Sequence, residues 1–543
     1  PLIITAAIIF GVGAALAYFS GFYIDWLWFK SVGFTAVWST VLITKAQLFL
    51  IVGLLTSALI SSNIYIAYKR RPLYVPTSIE VNGVERLRAQ IEPIRRLVFA
   101  GIVAALTYFA GSSGMVFWQQ WLLFRNSTSF GVKDPQFGLD VSFFAFKLPL
   151  YQALIGWAIS TLILAALASA FVHYMYGGIR TQVQTERTTV AARVQISILL
   201  GLVVLLKAVA YWFDRYALAL KEGRLITGLT YSDVNALLPA KAILSAIAVV
   251  CALLFFANIV RRSWLLPAAG TALLAISSVL IAGIYPGAIQ QFQVKPSESS
   301  KEAPYIQRNI DSTLSAYGLN DVEFTDYAAI DNPSLASLAE DAGTLSNIRL
   351  LDPALNSPTF SQLQQIRGFY AFPETLDVDR YMIDGVKRGT VIAVREVNLD
   401  GLADDQRNWF NDHMVFTHGY GVVAAYENTA EADGAPKFAE SNIPPSGKFD
   451  IDQPRVYFGE QSPAYSIVGS DGSQPPIELD FPDDKSANGQ TNNTYTGAGG
   501  VPIGNMIQRA IFALNYQETN ILLSNQIGSE SKILYDRDPK TRV

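Results

Sequence analysis

The chain contains three histidines and a single cysteine, so acid–base, nucleophilic or metal chemistry has few places to sit. Two of the histidines fall in one segment, Asn411-Asp412-His413-Met414-Val415-Phe416-Thr417-His418-Gly419-Tyr420-Gly421. Their spacing does not place them on one helical face, so the helix-borne pair that zinc proteases use is absent. If a helix ends between them, His413 and His418 converge on a metal or a reacting group; the alternative is a structural turn built on Gly419 and Gly421. Three acidic runs, Asp377-Val378-Asp379, Asp450-Ile451-Asp452 and Asp480-Phe481-Pro482-Asp483-Asp484, offer oxygens to Ca²⁺. None follows the EF-hand loop, and a salt-bridged or solvated surface explains each. Ser470, in Gly469-Ser470-Asp471-Gly472, has no base beside it and reads as a turn. No G-x-S-x-G elbow or phosphate-binding loop appears, and no cofactor is implied. In the greasy part of the chain Lys207 is the deepest charge. It lies near enough to the end of its apolar run to snorkel, and a transport role is the competing reading. Cys251 also lies in an apolar run, which excludes a disulfide framework and a thiolate zinc site.

The elements that must position these residues are of two kinds. Hydrophobic residues make up 51 % of the 543 and charged residues only 16 %, which is too apolar for an ordinary soluble protein and excludes a disordered one. Residues 1-289 hold 22 Lys and Arg against 10 Asp and Glu, whereas residues 290-543 hold 19 against 35. The basic half is the greasy half, so a nucleic-acid binder with a basic soluble surface is excluded as well.

A bilayer core of about 30 Å needs about 20 apolar residues per helix, and the first half offers seven such runs, at about 2-23, 41-67, 97-118, 150-175, 194-213, 240-260 and 264-285. The fold expected is therefore a seven-helix transmembrane domain over 1-289 followed by a soluble, mixed α/β extracytoplasmic domain over 290-543. Lys and Arg concentrate in the loops after the second, fourth and sixth runs (Lys69 to Arg96, Arg180 to Arg193, Arg261 and Arg262), which the positive-inside rule makes cytoplasmic. A cytoplasmic N-terminus and an extracytoplasmic C-terminal domain in the plasma membrane follow, with membrane lipids as partners. Residues 80-96 form a basic amphipathic segment suited to the inner leaflet. The outer loops 130-149 and 228-240 are too apolar to float in water and are expected to fold back on the membrane surface. Asp134 and Asp140 cap short helices there, and Asp233 serves as a further structural acid.

Beyond a proline-punctuated junction at 286-310, the stretch 387-396 alternates as a strand, 405-415 and 503-525 have helical periodicity, and 484-500 has loop composition.

Several motifs together carry a family resemblance. They are Asp25-Trp26-Leu27-Trp28-Phe29 with Val32-Gly33-Phe34, Asp134-Pro135-Gln136-Phe137 with Asp140, Thr230-Tyr231-Ser232-Asp233-Val234, Glu302-Ala303-Pro304-Tyr305-Ile306, Arg395-Glu396 and Thr417-His418-Gly419-Tyr420-Gly421. The chain resembles an uncharacterised bacterial protein family, common in actinobacteria, of large seven-span membrane proteins with a big extracytoplasmic C-terminal region. Thr313-Leu314 and Ser297 depart from its pattern. Asp538 to Val543 resembles an internal stretch of the family, which implies truncation at the C-terminus.

The resemblance implies architecture and no activity. The leading expectation is a non-enzymatic cell-envelope platform that binds an envelope protein, an envelope component or a second copy of itself through its exported domain. A transporter or channel for lipid or small solute is the first alternative, although the spans hold no acid near the midplane. An extracytoplasmic metal-dependent enzyme using His413 and His418 is the second.

Overall fold

The computed structural model describes residues 2–542 apart from 73–82, 181–186, 224–225, 262, 325, 327–333, 341–347, 471 and 473–474. It divides into two compact units, Ser39–Thr325 on one hand and Pro1–Trp38 with Asp326–Val543 on the other. The helical unit runs to Thr325, and the first 38 residues fold with the C-terminal half.

Six helical stretches among the described residues, rather than seven, are long and apolar enough to cross a bilayer: Thr35–Lys69, Arg86–Arg125, Phe143–Met175, Val190–Leu220, Asp233–Arg261 and Leu265–Ala316. The run 2-23 is the one that drops out. It lies in α1 (Leu2–Ser31), whose second half is interrupted by Ser20, Gly21 and Asp25 and buries Ile24 and Leu27 in the α/β unit.

The helical unit contains α2 (Thr35–Lys69), α3 (Gly83–Ile91), α4 (Arg95–Gly114), α5 (Trp118–Arg125), α6 (Leu148–Met175), α7 (Val190–Ala217), α8 (Leu238–Arg261) and α9 (Leu265–Val279). Lipid-facing helices gain nothing from hiding apolar side chains from one another, so close backbone approach carries the packing. At Gly53 of α2 an added Cβ would lie 2.6 Å from the carbonyl oxygen of Thr107 in α4, with Gly111 alongside. Between α6 and α7 the buried amide of Gln195 donates to the Asn63 backbone oxygen (2.9 Å) and to Ser169 (3.2 Å), and its oxygen faces His173 Nε2 at 3.0 Å. The stretch at 286-310 is helical rather than an irregular junction. Pro286 and Pro296 sit in first turns, where a missing N–H costs little, and wider turns at 280–284 and 290–294 precede them.

The strands of the α/β unit are β1 Tyr370–Ala371, β2 Asp377–Ile383, β3 Val386–Val394, β4 Glu396–Val397, β5 Gly419–Tyr420, β6 Val422–Ala430, β7 Pro436–Ser441, β8 Ser446–Gly447, β9 Arg455–Val456, β10 Tyr465–Val468, β11 Glu478–Pro482, β12 Gln490–Asn493, β13 Val501–Pro502 and β14 Lys532–Tyr535. A five-stranded antiparallel sheet ordered β2-β3-β6-β7-β8 turns Val391, Ala393, Val423 and Ala425 onto Phe360, Phe372 and Leu376. A smaller sheet, β10-β14-β13, packs Ile467, Ile533 and Val501 against Phe512 and against Ile24 and Leu27 of α1. The Tyr535 hydroxyl completes that seam by donating to the Ile24 carbonyl at 2.8 Å.

The alternating run at 387-396 is β3. The helical run at 503-525 is broken: Met506–Tyr516 ends at Gln517 in the left-handed region (φ 54°), and only Asn520–Leu523 resumes. Within 484-500, the polar residues Gln490–Asn493 pair with β11, because a cross-strand partner supplies the order that their composition does not.

Candidate functional site

The segment carrying both histidines is a short helical turn. Asn411–Val415 form one widened turn that ends at Phe416 (φ −87°, ψ 70°), so the helix does end between His413 and His418. The two rings are then held by different partners. His413 Nδ1 lies 2.9 Å from the carbonyl oxygen of Tyr465, and its ring stacks on Tyr465 at 3.9 Å and 4°. A carbonyl only accepts, so Nδ1 carries the proton and Nε2 presents a lone pair. Burial, partly opposed by that hydrogen bond, holds His413 below the usual imidazole range, which keeps it neutral near pH 7.

His413 lines a polar cavity of about 420 Å³ with Asn398, Asp400, Arg407, Asp412 and Gln461. Asn398, Arg407, Asp412, His413 and Gln461 are each held by a neighbour. Arg407 Nε reaches both Asp412 oxygens at 3.0 Å while its Nη1 donates to the Leu399 carbonyl at 2.9 Å. Asn398 Nδ2 donates to Gln461 Oε1 at 2.7 Å, and Gln461 Nε2 donates to the Phe372 carbonyl at 2.8 Å. The side chains that face the cavity are therefore pre-positioned before any ligand arrives.

His418 is buried elsewhere in the unit, with its ring 4.5 Å from that of Tyr457. Its Nδ1 is 2.9 Å from the Thr417 hydroxyl, which donates to Glu478 Oε2 at 3.1 Å. Glu478 also accepts from the Tyr457 hydroxyl (2.9 Å) and from the backbone N–H groups of Gly469 (3.0 Å) and Tyr495 (2.9 Å). His418 Nε2 lies 3.5 Å from Asp480, whose two oxygens are clamped by Arg455 at 2.7 and 2.8 Å. Burial would raise the Asp480 carboxyl, but the His418 and Arg455 contacts outweigh it and hold the group below its ordinary range. Of the acidic runs, the one at 480-484 thus divides: Asp480 is an internal ion-pair member, while Asp484 is an exposed partner of Arg367 at 3.4 Å. Among the described residues no three His, Cys, Asp or Glu side chains group to hold a metal.

Two buried arginines escaped the sequence reading as functional positions. Arg537 donates to the Tyr457 carbonyl (2.8 Å), the Ser466 hydroxyl (2.6 Å) and the Thr417 carbonyl, and burial lowers it to about 9. Arg395 donates to the backbone and side-chain oxygens of Gln364 at 2.5 and 2.9 Å, and burial lowers it to about 10. Both are tied to neutral oxygens that lie 25 or more residues away in sequence, so no local spacing announces them.

In the helical unit Lys207 is exposed on the bundle and holds its ammonium 4.7 Å from the Tyr211 ring, one turn along the helix. Asp134 accepts from the N–H groups of Gln136 (3.0 Å) and Phe137 (2.7 Å) and shapes a turn. Asp140 accepts from Ser142 N at 2.9 Å and from Phe130 N and Gly131 N, which ties the loop to the start of the helix leading into α6. Hydrogen bonds from Ser129 and Ser142 hold its carboxyl well below the usual range. Asp233 is buried and accepts from Lys221 Nζ and the Thr230 hydroxyl, both at 2.8 Å. The loops 130-149 and 228-240 end alike: Ser142 and Ser232 each precede a widened turn (143–147 and 233–237) that leads to Leu148-Pro149 and Leu238-Pro239. The wider turn makes room for a proline that cannot donate to the helix ladder.

Comparison with known proteins places this geometry in a family. A family model described as "Uncharacterised protein family (UPF0182)" matches residues 2–543. UPF0182 proteins of Frankia alni (47 % identical over 526 residues, 96 % of this chain and 51 % of the relative) and Streptomyces coelicolor (44 % over 548 residues, 100 % and 54 %) are similar to it. So is one from Kineococcus radiotolerans (46 % over 523 residues, 96 % and 51 %). The chain spans about half the length of these curated relatives. No solved structure matches it. The chain belongs to the UPF0182 family, and it is a multi-span membrane protein with a large folded extracytoplasmic domain.

Proposed function

We propose, taking membership of this family as the premise, that the chain is a cell-envelope platform in the plasma membrane. Its helical unit anchors it, and its α/β unit binds a polar envelope component or the polar surface of an envelope protein at the His413 cavity. The observation that carries this reading is the set of hydrogen-bonding groups on Asn398, Arg407, Asp412, His413 and Gln461, held in place by neighbours around one cavity of about 420 Å³. Fixed donors and acceptors around a polar hollow favour recognition, because the entropy of ordering them is already lost on folding.

Orientation rests on the basic loops that follow α2, α6 and α8, which favour the cytoplasmic side. Six crossings return the chain to the side from which α2 starts. That agrees with residues 1–38 and 326–543 forming one unit. A cytoplasmic N-terminus would need the run 2-23 to cross as well.

The test is a photo-crosslinking amino acid placed at Asp400, on the cavity, or at exposed Met382 on β2 as control, in cells expressing the full chain. A discrete adduct at 400 that is absent at 382 and lost in Arg407→Ala supports the reading. The same adducts at both positions, or none at either, overturns it.

A further inference from the structure

The helical unit holds a second hollow of different chemistry. A crevice of about 740 Å³ runs between α2, α4 and α6, with Ile64, Phe99, Ile102, Leu164, Leu167 and Phe171 among its almost wholly apolar lining. On α6 that lining extends from Leu164 to Tyr176, about 18 Å at 1.5 Å per residue. This matches one leaflet, about half of a 30 Å hydrocarbon core. The volume lies within the roughly 300–1,000 Å³ of ordinary ligand sites.

One end of the crevice is polar, and among the described side chains there the charge is one-sided. Arg95, Arg96, Tyr68 and Tyr176 line it. Arg71 lies 3.9 Å over the Tyr68 ring and Arg88 lies 4.9 Å over that of Tyr176. Glu92 is the acid among them, and it is spent as a clasp: it accepts from Tyr68 at 3.1 Å, from Tyr176 at 3.0 Å and from Arg95 at 2.5 Å. The clasp leaves the two tyrosines edge to face (5.2 Å, 85°) and the arginines in excess. Arg96 makes no side-chain hydrogen bond or ion pair among the described residues.

We propose that this crevice is a binding site for one anionic phospholipid of the adjoining leaflet, with an acyl chain between α2, α4 and α6 and its phosphate at the arginine cluster. The apolar length accounts for the chain, and the excess of guanidinium groups accounts for the charge of the head. Assigning the cytoplasmic leaflet rests on the orientation proposed above; the lipid site itself does not.

The experiment is native mass spectrometry of the full chain in detergent, titrated separately with phosphatidylglycerol and phosphatidylcholine. The wild type is expected to hold one phosphatidylglycerol at least about tenfold more tightly than phosphatidylcholine. Arg96→Ala is expected to lower phosphatidylglycerol binding about fivefold and leave phosphatidylcholine unchanged. Leu164→Trp, which fills the apolar part, is expected to abolish both, while Val249→Trp, on the exposed surface of α8, changes neither. Equal retention of the two lipids by the wild type overturns the proposal, as does Leu164→Trp binding like Val249→Trp. Because Arg96→Lys keeps the charge, preserved selectivity there with loss in Arg96→Ala assigns the effect to the head-group contact.

Discussion

Replacing Glu478 with glutamine removes one charge and two lone-pair positions from the interior of the α/β unit while keeping the side chain's size. The buried carboxylate accepts from four donors, the Thr417 and Tyr457 hydroxyls on one oxygen and the Gly469 and Tyr495 N–H groups on the other. An amide keeps one accepting end and turns an NH₂ group toward the other two donors, so two hydrogen bonds to a charged group are lost. At about 1.5–3 kcal/mol each, the cost is roughly 3–6 kcal/mol. For a unit of this size each kcal/mol lowers the midpoint by roughly 2–4 °C, which gives a fall of about 6–24 °C. The assay is thermal unfolding of the full chain in detergent followed by tryptophan fluorescence, with Trp409 inside the affected unit. Asp484→Asn, at the exposed Arg367 pair, is the control and should move the midpoint by less than about 2 °C. A Glu478→Gln variant that melts like this control would refute the view that Glu478 organises the His418 and Tyr457 neighbourhood.

Four further outcomes are expected. Asp480 is held below its ordinary range by His418 and Arg455, so its contribution is complete above the unfolded value near pH 4 and is lost as pH falls through the lower folded value. Acid titration of the melting midpoint should show a decline at low pH that Asp480→Asn flattens. His413 is lowered by burial, so its contribution is complete above about pH 6.5 and falls away toward its lower folded value; His413→Gln should remove that part of the profile between those two values. Gly53→Ala puts a methyl group 2.6 Å from the Thr107 oxygen, which should cost about 1–3 kcal/mol and show as earlier aggregation of the solubilised helical unit. Tyr535→Phe deletes the bond to the Ile24 carbonyl and should cost about 1 kcal/mol, with faster hydrogen exchange in the second half of α1.

The helices at 41-67, 150-175, 194-213 and 240-260 were legible because a stretch of apolar residues long enough for a bilayer has few other uses. The run at 2-23 looked the same, yet it is not one of the six stretches among the described residues that are long and apolar enough to cross. Its continuation, through Ile24, Trp26 and Leu27, is matched to a protein core whose other residues lie hundreds of positions away in sequence. That a helix ends between His413 and His418 was legible only as a condition, since Gly419 lies in β5 and not in that turn. That His413 faces a polar cavity while His418 joins an internal ion cluster was not, because both outcomes depend on Tyr465, Glu478 and Asp480, whose spacing from the histidines carries no period.

Composition and the order of charges therefore determined the membrane half and the acidic folded half. These are properties of residue type summed along short windows, and the bilayer and water act on them locally. The tertiary structure alone decided that α1 belongs with the C-terminal half, that Arg395 and Arg537 are buried, and that Tyr68, Glu92 and Tyr176 close one end of an apolar crevice. Each of those rests on contacts between distant segments, where hydrogen-bond geometry and packing, rather than local preference, select which residues meet.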